Sequence, residues 1–135
     1  MGKLVRCITS DGCVVAMAVD ATDMAAKAEQ YHKTSAVVSA ALGRLLAAAS
    51  MMGNALKEKD GSVTLRVNGD GPIGSLIAVA DSQGNVRGCA GNNMVELPLN
   101  AKGKLDVGRA VGAGTLYVIK DTGGTNDFCN DCGNI

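Results

Sequence analysis

Cys129 and Cys132, in the run FCNDCGNI near the end of the chain, have the C-x-x-C spacing that lets two sulfurs reach one tetrahedral metal ion or close a small disulfide. Either chemistry proceeds through thiolates, and the surrounding TGGTNDFCNDCGNI, glycine-rich and mostly polar with Phe128 its one large apolar residue before the final Ile135, suits an exposed pair. One such pair is half of a structural zinc site, which normally takes four ligands, and neither a second knuckle nor a histidine pair occurs in the sequence. Zinc bound in the reduced state would therefore have an incomplete site within one chain, finished by water or by sharing between two tails. The same spacing serves enzymes of thiol–disulfide exchange, but these place it at a helix start after a strand, which Asn126-Asp127-Phe128 does not offer.

The other three cysteines, Cys7, Cys13 and Cys89, fall in β-rich runs, where a small, weakly polar thiol is expected to fill core space. Cys129 and Cys132 are accordingly expected to oxidise first. Five is an odd number, which argues against a structural disulfide framework. MGKLVRCITS contains no apolar run of the secretory kind, and the expected location is the cytoplasm. His32 is the only histidine and sits at the end of a predicted helix, where an imidazole serves the helix dipole more readily than a metal.

These residues must be positioned by a scaffold, and its organising element is the stretch Thr34 to Lys57. Val38, Leu42, Leu45, Ala49, Met52 and Leu56 follow the alternating four and three spacing of one helix face. Val37, Ala40, Ala41, Leu46, Ala47, Ala48 and Met51 cover most of the remaining circumference, so the helix belongs inside a core. A membrane span is the rival reading at this length, opposed by Arg44 in mid-run and by the weak hydrophobicity of alanine. Gly43 and Gly53 each cost a helix about 1 kcal/mol against alanine, which implies close approach of another chain segment at both. Thr34 or Ser35 is placed to cap the start.

Around that helix, Lys3 to Ile8 and Cys13 to Val19 read as a hairpin turning at Asp11-Gly12. Asp20 or Thr22 can cap an amphipathic helix running to about His32. Val63 to Asn68, Ser75 to Ala80 and Asn85 to Ala90 read as an antiparallel meander. The intervening Gly69-Asp70-Gly71-Pro72-Ile73-Gly74 lacks the Lys-Ser/Thr and following helix of a phosphate loop and is predicted to be a bent connection. Leu105 to Val111 suggests one helical turn and Thr115 to Lys120 a last strand. From residue 122 the periodicity stops and a flexible tail is expected.

The chain carries 13 basic and 13 acidic residues, so no electrostatic footprint marks a nucleic acid or an anionic membrane as partner. With one Phe, two Tyr and no Trp, base-stacking platforms are missing as well.

Taken together, SAALGRLLAAASMMG, NGDGPIGSLIAVAD and NAKGKLDVGRAVGAGTLYVIKD resemble the N-terminal region of the redox-regulated heat-shock chaperones, the zinc-binding, disulfide-activated holdases. The likeness runs from about Leu4 to Asp121. It implies an α+β fold, an antiparallel meander packed on a buried central helix, with residues 1–121 as a partial chaperone core domain and 122–135 as the tail. FCNDCGN resembles the family's last cysteine pair, so the roles of zinc ligand and redox centre pass to Cys129 and Cys132. The family's C-x-C pair, linker and second half of the core have no counterpart here, and the chain looks like a truncated or internally deleted relative. The implied activity is ATP-independent capture of unfolding proteins under oxidative stress, without enzymatic chemistry. A missing part of the core leaves an uncovered edge or face, which favours a homodimer. The alternatives from the same residues are a thiol–disulfide redox protein and a remnant without function.

Overall fold

A computed structural model describes residues 2–122 and, as backbone, 129–134. It opens with a hairpin in which β1 (Leu4–Ile8) pairs antiparallel with β2 (Val15–Val19), Ile8 facing Val15. The turn between them is held by Asp11, whose Oδ1 accepts from Thr9 Oγ1 at 2.5 Å and from the Cys13 amide at 3.0 Å, while Gly12 supplies φ +74°. Cys13 thus belongs to the turn and not to the strand predicted from it.

Helix α1 (Thr22–His32) follows. Asp20 steadies its entry by accepting from Thr22 N at 3.1 Å and Thr22 Oγ1 at 2.7 Å, although Ala21 occupies the cap position itself. It stops at Lys33, whose left-handed φ of 54° ends the helical path.

The central helix is α2 (Ala36–Asn54). Its length and composition would suffice for a bilayer crossing, but half of its most apolar window is buried inside the fold, against the sheet and α1. The buried positions are Val37, Val38, Ala41, Leu42, Gly43, Leu46, Ala49, Ser50 and Gly53, a stripe rotated from the one predicted. Leu45, Met52 and Leu56 only flank the core, and Leu46 and Ser50 take the centre. The run is apolar on nearly every side, so its periodicity could not say which side meets the sheet. Ser35 occupies the N-cap position, as expected, and its carbonyl accepts from the Ser39 amide at 2.8 Å, but its side chain makes no capping bond. Its Oγ donates to the Val95 carbonyl at 2.7 Å and accepts from the Val95 amide at 3.1 Å, anchoring the 93–96 segment across the helix start.

Both helix glycines are where neighbours come close. A Cβ at Gly53 would collide with the backbone carbonyl of Asp81, and one at Gly43 would lie 3.0 Å from Ala25 Cβ on α1.

Strands β3 (Ser62–Gly69), β4 (Ser75–Asp81) and β5 (Val86–Ala90) form the expected meander. After the short α3 (Val107–Val111), capped by Asp106 Oδ1 accepting from the Arg109 amide at 3.2 Å, β6 (Gly114–Asp121) pairs with β3. The last strand, β7 (Cys129–Asn134), pairs with β6, giving an antiparallel sheet ordered β5-β4-β3-β6-β7. Part of the segment expected as a tail is therefore paired backbone. Residues 123–128 and 135 of that segment lie outside the described residues.

Alternation assigns the sheet's two faces. Val63, Leu65, Val67, Leu76, Ala78 and Ala80 are buried on the α2 side. Thr64, Arg66, Ile77, Val79, Arg87, Cys89 and Tyr117 share the opposite face. The α+β class is thus the one expected.

Candidate functional site

Cys7, Cys13 and Cys89 are all exposed free thiols, which corrects their expected place in the core. Each exposure has a local cause. Cys89 pairs with Ile77 on the sheet face away from α2, Cys13 sits in the hairpin turn, and Cys7 pairs with Ala16 on a hairpin face where Val5 and Ala18 are exposed too.

Cys129 and Cys132 are brought into one strand but not to one point. Cys129 pairs with Lys120 and Cys132 with Tyr117. Lys120 is in turn opposite Val63, which is buried on the α2 side, and Tyr117 is opposite Arg66 on the other face. The two cysteine positions therefore have opposite parity in the pleat. Three residues of extended strand also separate their Cα atoms by about 10 Å. The strand does not fit a shared tetrahedral zinc, and among the described residues no group of three or more His, Cys, Asp or Glu could hold a metal ion. His32 contributes its backbone instead, its carbonyl accepting from Asn93 Nδ2 at 3.1 Å.

The glycine-rich loop after β3 is a knitted connection. The amides of Asp70, Gly71 and Ile73 donate to the carbonyls of Ala113, Val111 and Ala110 at 2.9, 3.0 and 3.1 Å. Asp70 Oδ1 also accepts from the Ala113 amide at 2.8 Å. Cβ atoms at Gly69 and Gly71 would overlap the carbonyls of Val111 and Ala110, so the glycines serve backbone packing, and the donors a phosphate would need are already engaged.

What the molecule offers a partner is apolar surface. At the hairpin tip Ile8 is 63% exposed, Val14 57% and Val15 56%, with Val5 at 51% on the opposite face of β1. Ile8 and Val15 are register partners, so these side chains lie beside one another. Below the hairpin, a cavity of about 850 Å³ runs between α1 and the β5 edge, lined among others by Leu4, Val19, Met24, Tyr31, Leu46 and Val86. Its floor is tied down at the β4–β5 turn. Asp81 accepts there from Asn85 Nδ2 at 2.9 Å and from the amides of Gln83 and Asn85 at 2.9 and 3.0 Å, and these bonds, that to the Asn85 side chain foremost, hold its carboxyl below the usual aspartate range. Hairpin exposure went unread in the sequence, yet a signal was there: VAMAV has no polar residue to alternate with, so both faces of β2 are apolar.

Comparison with known proteins places the chain among relatives. The family model described as Hsp33 protein matches residues 2–129. The 33 kDa chaperonin of Nostoc punctiforme is 47% identical over 121 residues, covering 90% of this chain and 40% of that protein. That of Agathobacter rectalis is 46% identical over 129 residues, covering 96% and 45%. The crystal structure of the 33 kDa chaperonin from Thermotoga maritima superposes with a TM-score of 0.90 at 33% identity, over 98% of this chain and 45% of that one. The chain spans less than half the length of each of these relatives.

Proposed function

This chain belongs to the Hsp33 family, and from that premise we propose that it acts as a chaperone of the holdase type, binding apolar segments of unfolding proteins without ATP. The observation that carries the reading is the hairpin tip, where Ile8, Val14 and Val15 are each more than half exposed and Ile8 and Val15 stand beside one another. Surface of this kind is favourable to bury against an unfolded client, which exposes its own aliphatic residues. The engaged amides of the Asp70 loop agree with a cycle that uses no nucleotide.

Redox control is the finer part of the proposal. Cys129 and Cys132 are the residues assigned to it, no step is routed through zinc, and the setting is the cytoplasm. The proposed state is a homodimer, supported by a sheet that ends within one chain at β5 and β7. An enzyme of thiol–disulfide exchange finds less support, since Cys129 opens a strand and not a helix.

The test is light scattering of a thermally aggregating client with and without a molar excess of the chain, ATP absent. Slower aggregation is expected, and the I8S/V15S double variant should lose much of the effect while keeping the parent's thermal transition. Equal aggregation with and without the chain would refute holdase activity, and full activity in the double variant would remove the hairpin from the binding surface.

A further inference from the structure

Strand β5 ends the sheet on one side, and its pleat decides which of its backbone groups are bonded. The Asp81 amide donates to the Asn85 carbonyl at 3.1 Å and the Gly91 amide to the Ser75 carbonyl at 2.7 Å, and between these ends Arg87 faces Val79 and Cys89 faces Ile77. Arg87 and Cys89 therefore exchange bonds with β4, whereas the N–H and C=O groups of Val86, Gly88 and Ala90 point out of the sheet. No backbone group among the described residues bonds them. Beside this edge runs the cavity of about 850 Å³, walled by α1, by Leu46 of α2 and by the hairpin base at Leu4 and Val19. Met24, Leu46 and Val86 make its walls aliphatic, and its volume lies within the usual range of a ligand site.

We infer that the β5 edge and this cavity form a binding slot for one extended peptide strand in which apolar and acidic residues alternate. A row of open donors and acceptors selects a polypeptide backbone in extended form. The strand is antiparallel to β5, like every other pair in this sheet. The pleat then assigns the side chains. Val86, Gly88 and Ala90 face Ala80, Ala78 and Leu76, which are buried on the α2 side, so residues of the added strand opposite them enter the cavity and are best apolar. Gly88 presents no side chain there, and even a Cβ would lie 3.1 Å from Leu46 Cδ2, so the space beyond belongs to the residue opposite it. Arg87 and Cys89 are exposed on the other face, where a carboxylate opposite Arg87 makes a favourable cross-strand pair. A second copy offering its own β5 is the rival occupant. Antiparallel about Gly88, it would set two Arg87 side chains diagonally on one face, like charges within reach of each other. The slot is separate from the hairpin tip, and its test does not depend on holdase activity.

The experiment uses the full chain and the end-capped peptide VEIEV with a fluorescein label, which sets its isoleucine opposite Gly88 and a glutamate opposite Arg87. Anisotropy should rise to saturation on titration. With the peptide bound, residue-resolved amide exchange should slow at Val86, Gly88 and Ala90, while Arg87 and Cys89, already bonded to β4, stay unchanged. N-methylation of the central isoleucine removes a donor facing the edge and should weaken binding about five-fold. R87E changes an exposed side chain, and should bind VEIEV about three-fold more weakly than the parent and VKIKV about three-fold more tightly. No saturable binding, protection that misses these three alternate residues, or an R87E variant with the parent's preference between the two peptides would overturn the inference. Slowing of the same three amides when the chain is concentrated without peptide would overturn it too, by giving the edge to a second copy.

Discussion

Ser50, buried near the C-terminal end of α2, donates its Oγ to the carbonyl of Gly84 at 2.7 Å and so ties the central helix to the β4–β5 turn. The bond satisfies a hydroxyl that is only 2% exposed. S50A removes the donor and leaves the Gly84 carbonyl without this partner, a loss of about 1–2 kcal/mol. The thermal midpoint should fall by about 3–6 °C, measured by circular dichroism, with the folded spectrum unchanged.

Gly53 and Gly43 should respond differently to alanine. Helix propensity alone would reward both changes by about 1 kcal/mol. At Gly53 the added Cβ meets the Asp81 carbonyl and lies 2.8 Å from Ala80 Cβ, and neither is the end of a flexible side chain. G53A is therefore expected to destabilise by about 1–3 kcal/mol. At Gly43 the nearest atom is one methyl at 3.0 Å, so G43A should be close to neutral. Urea midpoints of the two variants would separate the cases.

Leu42 has no exposed surface, whereas Leu45 lies one turn away at the margin of the core. L42D buries a carboxylate with no partner, at a cost of several kcal/mol that rivals the net stability of a domain. No cooperative unfolding transition should remain. L45D lets the carboxylate reach solvent, and a cooperative transition should survive at lower midpoint. Equal loss in both would mean that α2 is rotated from the orientation described.

Acid should weaken the turns before the core. Hydrogen bonding, that of Thr9 for Asp11, Thr22 for Asp20 and the Asn85 side chain for Asp81, lowers all three carboxyls from the ordinary aspartate value. Because the folded state binds the proton less readily than the unfolded one, the contribution is fully present above about pH 4 to 5 and is lost as pH falls through the folded values. These side chains are solvent-exposed, so each effect is small and screened. The urea midpoint should decline below about pH 4 in the parent, and D81N should show a shallower decline over the same range.

The sequence disclosed elements better than it disclosed surfaces. The hairpin, α1, α2, the meander and β6 were all legible, because Asp-Gly turns, alternation in VTLRV and the apolar span of α2 are local signals. The orientation of α2 was not, since Leu45 and Leu46 are chemically alike and only the sheet decides between them. Cys89 misled for a related reason: its strand is real, but one step of parity turns a core thiol into an exposed one. At the candidate site, C-x-x-C was read as a knuckle from spacing alone, and spacing says nothing of a pairing partner such as β6. The exposed aliphatic tip of the hairpin was missed because a β-rich run was taken to be a buried one.

The pairing of β3 with β6 bears on how the chain reaches this structure. Gly69 meets Gly114 and Ser62 meets Asp121, partners roughly fifty residues apart, whereas β3, β4 and β5 meet across short turns. Closing so long a loop is entropically unfavourable and is rewarded only after the ends join, so β6 is expected to be the late arrival in folding. On the ribosome, α2 and the meander emerge before Gly114 to Asp121 is synthesised, so the β3 edge has no β6 partner until then. The knitted glycines of the Asp70 loop and the 110–114 segment then lie at the very corner where the late strand docks, giving it a fixed register on first contact.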